Sequence, residues 1–359
     1  HFRVLDELVE MGCFWILYTG GEIFARKDFL EIYTYAKKKG FLITLFTNGT
    51  IINEQIADYL AEWPPFAIEI TLYGRTRETY EALTSVPGSY DRCLRGIRLL
   101  KERGLPLKLK TVATSINKHE VVAMRRFAEE LGVELKCDGQ VNPRIDCSQS
   151  PLATRLTPEE VVALDMSDPA VVEEYRKLAE RDLGAPPNLS QVDTVYICGG
   201  GFNSFAINAN GEIGICVISQ QETFAIRDST VKAVWEESLL RLRRTKRTRV
   251  TKCIQCRIQS LCGMCPANGE LENGDRESPV EFLCHVAHLR AMVVGVDVPP
   301  HGECQFCSEG ADHEDLVESQ RRIATGQVDV GSWSAVENIL PILNQPSLLT
   351  AGCGNCGNH

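Results

Sequence analysis

Seven cysteines between residues 198 and 284 constrain this chain more than any other feature. They are Cys198, Cys216, Cys253, Cys256, Cys262, Cys265 and Cys284, spaced Cys-x17-Cys, then Cys-x2-Cys-x5-Cys-x2-Cys, then one more. Thiolates this dense bind soft metal, and iron–sulfur clusters are the leading occupants. Zinc competes, because paired Cys-x2-Cys knuckles are also a zinc signature. Zinc ribbons separate their knuckles by about 15–20 residues, whereas five residues lie between Cys256 and Cys262. Zinc also leaves Cys198, Cys216 and Cys284 without a role.

The chain has 359 residues, 44% of them apolar, enough for two domains and a sizeable core. Its apolar stretches are too short to span a bilayer, so no membrane partner is expected. A net charge of -10 argues against a nucleic-acid partner. Fifteen cysteines in a long chain with an odd count do not suggest a disulfide framework. A reducing cytoplasm is the expectation. The sequence opens at His1 on a helical pattern, and a missing natural N-terminus is expected. One basic run, from Arg241 through Arg243, Arg244, Lys246, Arg247 and Arg249 to Lys252, reads as a solvated helix face. Its alternative is a dock for an acidic peptide, or a field that stabilises an anionic cluster.

Residues 1–138 alternate helical and strand patterns. Helices are expected over Phe2–Met11, Phe29–Lys39, Tyr90–Arg103 and Val121–Leu131. Strands are expected over Cys13–Tyr18 (a buried one), Phe41–Phe46, Phe66–Leu72, Leu107–Ala113 and Val133–Cys137. Short turns between them mean parallel β/α units, and a whole or partial barrel fits. Thr157, Pro158 and Glu160 predict a capped helix start, and another helix covers about 170–183. Residues 184–190 read as a linker. Further on, Asn210-Gly211 between two apolar runs signals a hairpin that could return Cys216 towards Cys198. The fold class is therefore α/β: a partial barrel over 1–150, a helical linker over 151–190, a small cysteine-rich domain over 191–295 and a cysteine-bearing tail over 296–359.

Thr19-Gly20-Gly21-Glu22 follows the first visible strand, where two glycines let a ligand approach the backbone. The carbonyls and the Glu22 carboxylate could hold a cationic amine. Thr47-Asn48-Gly49 follows the second strand and Ile70-Thr71-Leu72 ends the third. With Cys198-x12-Gly211-x4-Cys216 and the later cysteine array, these features resemble radical S-adenosylmethionine (SAM) enzymes with a C-terminal SPASM domain, over roughly residues 5–290. The resemblance implies that Gly20, Gly21, Glu22, Thr47, Asn48 and Thr71 bind S-adenosylmethionine. It implies one auxiliary [4Fe-4S] cluster on Cys253, Cys256, Cys262 and Cys284. A second would sit on Cys198, Cys216 and Cys265, with an unidentified fourth ligand or an open site. The family's Cys-x3-Cys-x2-Cys motif for the catalytic cluster is absent, and is expected upstream of this sequence. The fragment alone is therefore expected not to cleave S-adenosylmethionine. Ile23 stands where the family usually has proline, and Cys265 follows Cys262 by x2 where x3 is common.

The implied activity is a 5′-deoxyadenosyl radical that modifies a substrate, most often a ribosomally made peptide or protein. A flavodoxin or ferredoxin would donate electrons. The alternatives are a small-molecule substrate such as a tetrapyrrole, or a non-catalytic iron–sulfur or zinc-binding protein. Two readings remain from the residues themselves. Cys304, Cys307, Cys353 and Cys356 could form one further metal site, with His301, His313 and His359 as possible substitutes. Lys108 and Lys110 share one face of a strand. Inward they could meet the S-adenosylmethionine carboxylate or substrate, and outward they would be solvated or covered by a helix.

Overall fold

The computed structural model describes residues 1–184, 193–219 and 221–330. The chain divides into two compact units. The first comprises His1–Val141, Ala206–Gly214 and Glu222–Leu240; the second comprises Asn142–Phe205, Ile215–Gln221 and the chain from Arg241 onward.

In the first unit, α1 (Phe2–Glu10), β1 (Trp15–Tyr18), α2 (Phe29–Lys38), β2 (Leu42–Thr47), α3 (Glu54–Glu62), β3 (Ala67–Thr71), α4 (Arg77–Thr84), α5 (Ser89–Glu102), β4 (Leu107–Val112), α6 (Val121–Leu131) and β5 (Leu135–Asp138) follow in order. The five strands form one parallel sheet in the order β1-β2-β3-β4-β5. Consecutive parallel neighbours joined by helical crossovers are the β/α arrangement the sequence predicts. Strand side chains alternate between faces. Ile43, Leu45, Ile68, Ile70 and Leu109 fill one face and are fully buried, with Tyr33, Leu60, Tyr80, Leu100 and Met124 from the helices. The opposite face carries Phe46, Glu69, Thr71, Lys110 and Lys136, as the register sets them.

Two helices escaped the apolar periodicity. Asn53 caps α3 by accepting from the Ile56 N–H at 2.9 Å, and Thr76 caps α4 by accepting from Thr79 at 3.3 Å. Both are short and carry three charged residues each, so their caps are the better signal. The first strand is not buried as expected: Trp15 is 53% exposed and Leu17 42%. It pairs only with β2 among the described residues and sits at the sheet edge. Elsewhere a glycine decides the packing. A Cβ on Gly96 of α5 would lie 2.3 Å from the Gly49 carbonyl oxygen, so only glycine lets this helix close on the Thr47-Asn48-Gly49 turn.

The predicted hairpin forms. After α7 (Pro158–Met166) and α8 (Pro169–Gly184), β6 (Ala206–Ile207) and β7 (Glu212–Gly214) run antiparallel, and β8 (Thr223–Ala225) adds an unforeseen third strand. Asn208 Oδ1 accepts from the N–H groups of Asn210 and Glu212, and Gly211 takes φ +77°, which closes the turn. Near its start, α7 carries the expected capping box between Thr157 and Glu160.

Helix α9 (Val231–Ala233) belongs to the first unit, and α10 (Leu240–Arg243) begins at that unit's last residue. The second unit then forms α11 (Gln259–Cys262), α12 (Pro266–Asn273), α13 (Glu281–Val293) and α14 (His313–Ala324). The linker expected over 184–190 lies, beyond Gly184, outside the described residues, as do Cys353, Cys356 and His359. Among the described residues no helix is long and apolar enough to cross a membrane.

Candidate functional site

Two groups of residues carry chemistry, one in each unit. In the first unit they lie where β1, β2 and β3 end. Glu22 follows β1, and its carboxylate is held from three sides. The Thr47 hydroxyl donates to both oxygens at 2.8 Å, the Asn48 N–H donates at 2.8 Å and the Phe24 N–H at 3.1 Å. Thr47 is 5% exposed and spends its hydroxyl on Glu22, so it positions that carboxylate. The Asn48 side chain is likewise spent locally, accepting from the Thr50 N–H and hydroxyl. Ile23, where the family usually has proline, is buried and leaves the Glu22 geometry intact. No heavy atom lies within 4 Å of where a Cβ would stand at Gly20 or Gly21. An oriented carboxylate beside open backbone is a fit for an ammonium group such as that of S-adenosylmethionine.

Thr71 sits half buried at the end of β3, on the same face as Glu69. Three further residues on this face, Glu69, Phe46 and Lys136, carry no motif in the sequence. Glu69 is 9% exposed and pairs with Lys110 at 3.8 Å and with Lys136 at 3.6 Å. Lys110 lies over the Phe46 ring. Burial pulls its pKa down to about 8, against the opposing effect of Glu69. Lys108, on the same strand face, instead meets Glu134 at 2.7 Å near the surface. The two lysines thus part company: one is desolvated and paired, the other solvated.

In the second unit, Cys198, Cys253, Cys256, Cys262, Cys265 and Cys284 line one cavity of about 160 Å³. They come from separated places: the loop before Gly199, the turns around α11, the residue that starts α12, and the first turn of α13. Cys216 is not on that lining, yet it and Cys198 both lie near enough to Cys265 to influence its thiol. The Ser219 N–H donates to Cys216 Sγ at 3.3 Å. Gly200 and Gly201 pack against Ile215, the neighbour of Cys216, which draws the Cys198 loop alongside it.

Burial dominates the thiol chemistry. It pushes Cys262 up to about 12 and raises Cys253 and Cys265, the last partly offset by N–H groups of Asn268 and Ala267. Buried this way the groups stay neutral thiols until a metal cation compensates the charge. Cations already face the cavity: Arg247, Arg249, Lys252 and Arg276 contribute to its wall. This departs in part from the solvated-helix expectation for the basic run: Arg241, Arg244, Lys246 and Arg249 are exposed as expected, but the run is not one helix. Helix α10 ends at Arg243, and beyond it Lys246, Arg247, Arg249 and Lys252 find specific partners, while Arg244 is exposed. Arg243 donates to the Cys198 carbonyl at 2.8 Å, Lys246 pairs with Asp193 and Arg249 with Asp275, and Lys252, its side chain 8% exposed, pairs with Glu281 at 2.7 Å. Thiol-rich walls with nearby fixed cations suit an anionic iron–sulfur cluster.

Cys304 and Cys307 are buried as well. Their neighbours are His288 and His301, and the two cysteines expected to join them lie outside the described residues. His313 instead approaches the Phe306 carbonyl at 3.2 Å. His288 was not assigned a partner from sequence, because its mates follow it by 13 to 19 residues. Cys147 lies in its loop with φ +65°, its Sγ 3.3 Å from Gln221 Nε2.

The family model of the radical SAM superfamily matches residues 2–128. The AdoMet-dependent heme synthase of Oleidesulfovibrio alaskensis is 25% identical over 299 residues, 78% of this chain and 77% of its own. The PqqA peptide cyclase of Granulibacter bethesdensis is 28% identical over 130 residues, 36% of this chain and 35% of its own. Streptococcus suis SuiB bound to precursor peptide SuiA superposes with a TM-score of 0.59 at 16% identity, covering 79% of this chain and 68% of SuiB. That last likeness is one of fold.

Proposed function

With residues 2–128 placed in the radical SAM superfamily, we propose that this protein is a radical SAM/SPASM enzyme that modifies a ribosomally made peptide or protein. The modification would be a crosslink or a side-chain oxidation. The observation that carries the reading is the cavity that gathers six of the seven spaced cysteines in the second unit. It supports two auxiliary clusters, one on Cys253, Cys256, Cys262 and Cys284, the other on Cys198, Cys216 and Cys265. The name of the PqqA peptide cyclase supports a peptide substrate.

When bound, S-adenosylmethionine and a reduced catalytic cluster supply a 5′-deoxyadenosyl radical that takes a hydrogen atom from the substrate. The residues of this chain hold and shield. Glu22, preset by Thr47 and Asn48, receives the methionyl ammonium beside the open backbone of Gly20 and Gly21. Thr71 lines the same strand ends. Lys110, paired with Glu69, offers a positive group to a carboxylate on the inner sheet face. The basic wall of the cysteine cavity offsets the charge of thiolate-bound clusters. A flavodoxin or ferredoxin would be the electron donor, in the cytoplasm.

The second reading is a tetrapyrrole substrate, favoured by the heme synthase alignment that runs along 78% of the chain. The test is anaerobic turnover of the full-length protein with S-adenosylmethionine and dithionite. A small peptide encoded beside the gene and iron-coproporphyrin are supplied separately. Deuterium from labelled substrate should appear in 5′-deoxyadenosine with the peptide. Transfer from the porphyrin alone moves the protein to the second reading. Intact S-adenosylmethionine in both arms makes it a non-catalytic metal protein. In the same assay Glu22→Gln should weaken S-adenosylmethionine binding about 10-fold or more, the loss of one charge-assisted contact.

A further inference from the structure

His288, His301, Cys304 and Cys307 each offer a ligand atom, and the four atoms lie within 4.8 Å of one another. His288 Nε2 is 3.5 Å from Cys304 Sγ and 3.6 Å from Cys307 Sγ. His301 Nδ1 is 3.2 Å from Cys307 Sγ. A tetrahedral zinc ion, with bonds of about 2.3 Å to sulfur and about 2.0–2.1 Å to nitrogen, sets nitrogen and sulfur ligands roughly 3.5 Å apart. A four-iron cluster spreads its ligands over four metal corners and needs them farther apart. Among the described residues this is the one set of such groups that converges on a single point.

We propose that these four residues form a mononuclear, four-coordinate zinc site at the edge of the cysteine cavity, whose wall includes His288 and His301, with ligands separate from those of the auxiliary clusters. Tetrahedral sets of two thiolates and two imidazoles serve zinc or iron–sulfur centres, and the convergence of all four ligand atoms within 4.8 Å favours a single zinc ion. The ligands are buried: His288 is 1% exposed, Cys307 2%, Cys304 6% and His301 8%. The site's outer shell is in place too. The Cys284 carbonyl lies 2.7 Å from His288 Nδ1, and a proton on Nδ1 leaves the Nε2 lone pair for the ion. The Phe306 ring stacks on His285 at 4.8 Å and lies 5.7 Å from His288, covering the site with apolar surface. Four ligands with no open position make the role structural. The ion pins the 301–307 segment to α13, the helix that also carries Cys284. The two thiols lose their protons to solvent on binding, and no electron moves.

The test uses full-length protein purified anaerobically. About one zinc per chain is expected beside the iron, with an X-ray absorption spectrum of two sulfur ligands at about 2.3 Å and two nitrogens at about 2.0 Å. Cobalt(II) in place of zinc should give tetrahedral d–d bands and thiolate charge-transfer bands. Neither measurement needs a variant. Cys304→Ser and His288→Gln should each lose the zinc and keep iron and sulfide, while Cys256→Ala should lose iron and keep zinc. A zinc shell of four sulfurs, or no stoichiometric zinc in wild type with iron lost on Cys304→Ser, overturns the proposal by assigning these residues to a cluster. Zinc with two sulfurs and two nitrogens but no iron in any sample leaves this site standing and removes the auxiliary clusters instead.

Discussion

The two units of this chain are stabilised in opposite ways. The first hides Ile43, Leu45, Ile68, Ile70 and Leu109 beneath helices, so its interior is aliphatic and aromatic. The second surrounds a cavity with six thiols and several cations, on elements as short as four residues. Apolar burial stabilises a structure without any ligand. Buried thiols and guanidinium groups do so only when something compensates them. The comparison teaches that the first unit should be intrinsically stable and the second conditional on metal.

The largest expected effect follows from that difference. Cys262→Ala, or removal of iron and zinc by a chelator, should abolish most amide-exchange protection over residues 253–293 while leaving β2, β3 and β4 protected. Mass-spectrometric hydrogen exchange reads both at once. Equal loss in the two units would erase the distinction. A smaller, reversed effect is expected from Gly96→Ala. The added Cβ meets the Gly49 carbonyl at 2.3 Å, and relief of that overlap should cost the first unit about 1–3 kcal/mol with metal content unchanged. Denaturant unfolding monitored alongside iron content checks it.

The smallest effect concerns acid. Glu120 is 7% exposed; burial raises its pKa, but bonds from Thr76, Thr79 and the Arg75 N–H outweigh that and leave it lowered. A depressed carboxylate contributes stability above its ordinary range, and that contribution disappears as pH falls through the lowered value. First-unit stability should therefore fall on acidification below the usual glutamate range. Glu120→Gln should flatten that part of the profile, as urea melts across pH would record.

The sheet was legible because its strands are short apolar runs, and α6 matched its predicted span because Val121, Met124 and Ala128 keep helical spacing. The strand over Cys13–Tyr18 was placed correctly but not its exposure, since sequence does not reveal which strand lies at an edge. The thiol array was legible from spacing alone. Its cations were not: Lys252 reads as one more surface lysine until Glu281, 29 positions on, is seen to meet it. The same holds for His288, whose neighbours in space come from beyond the end of its helix, and for Glu69, hidden in a strand that reads as apolar.

The grip of Thr47 and Asn48 on Glu22 has a consequence for how a ligand would be met. A free glutamate side chain samples several rotamers and gives them up on binding, a loss on the order of 1 kcal/mol. Here that freedom is already surrendered in the empty fold, because both carboxylate oxygens are bonded to β2 and its turn. Capture of a cation at this point then asks no rearrangement of the protein, and its rate is set by arrival alone. Replacing Thr47 with valine would return that motion to the carboxylate, so its signature belongs in the entropy of binding rather than in any missing contact to the ligand.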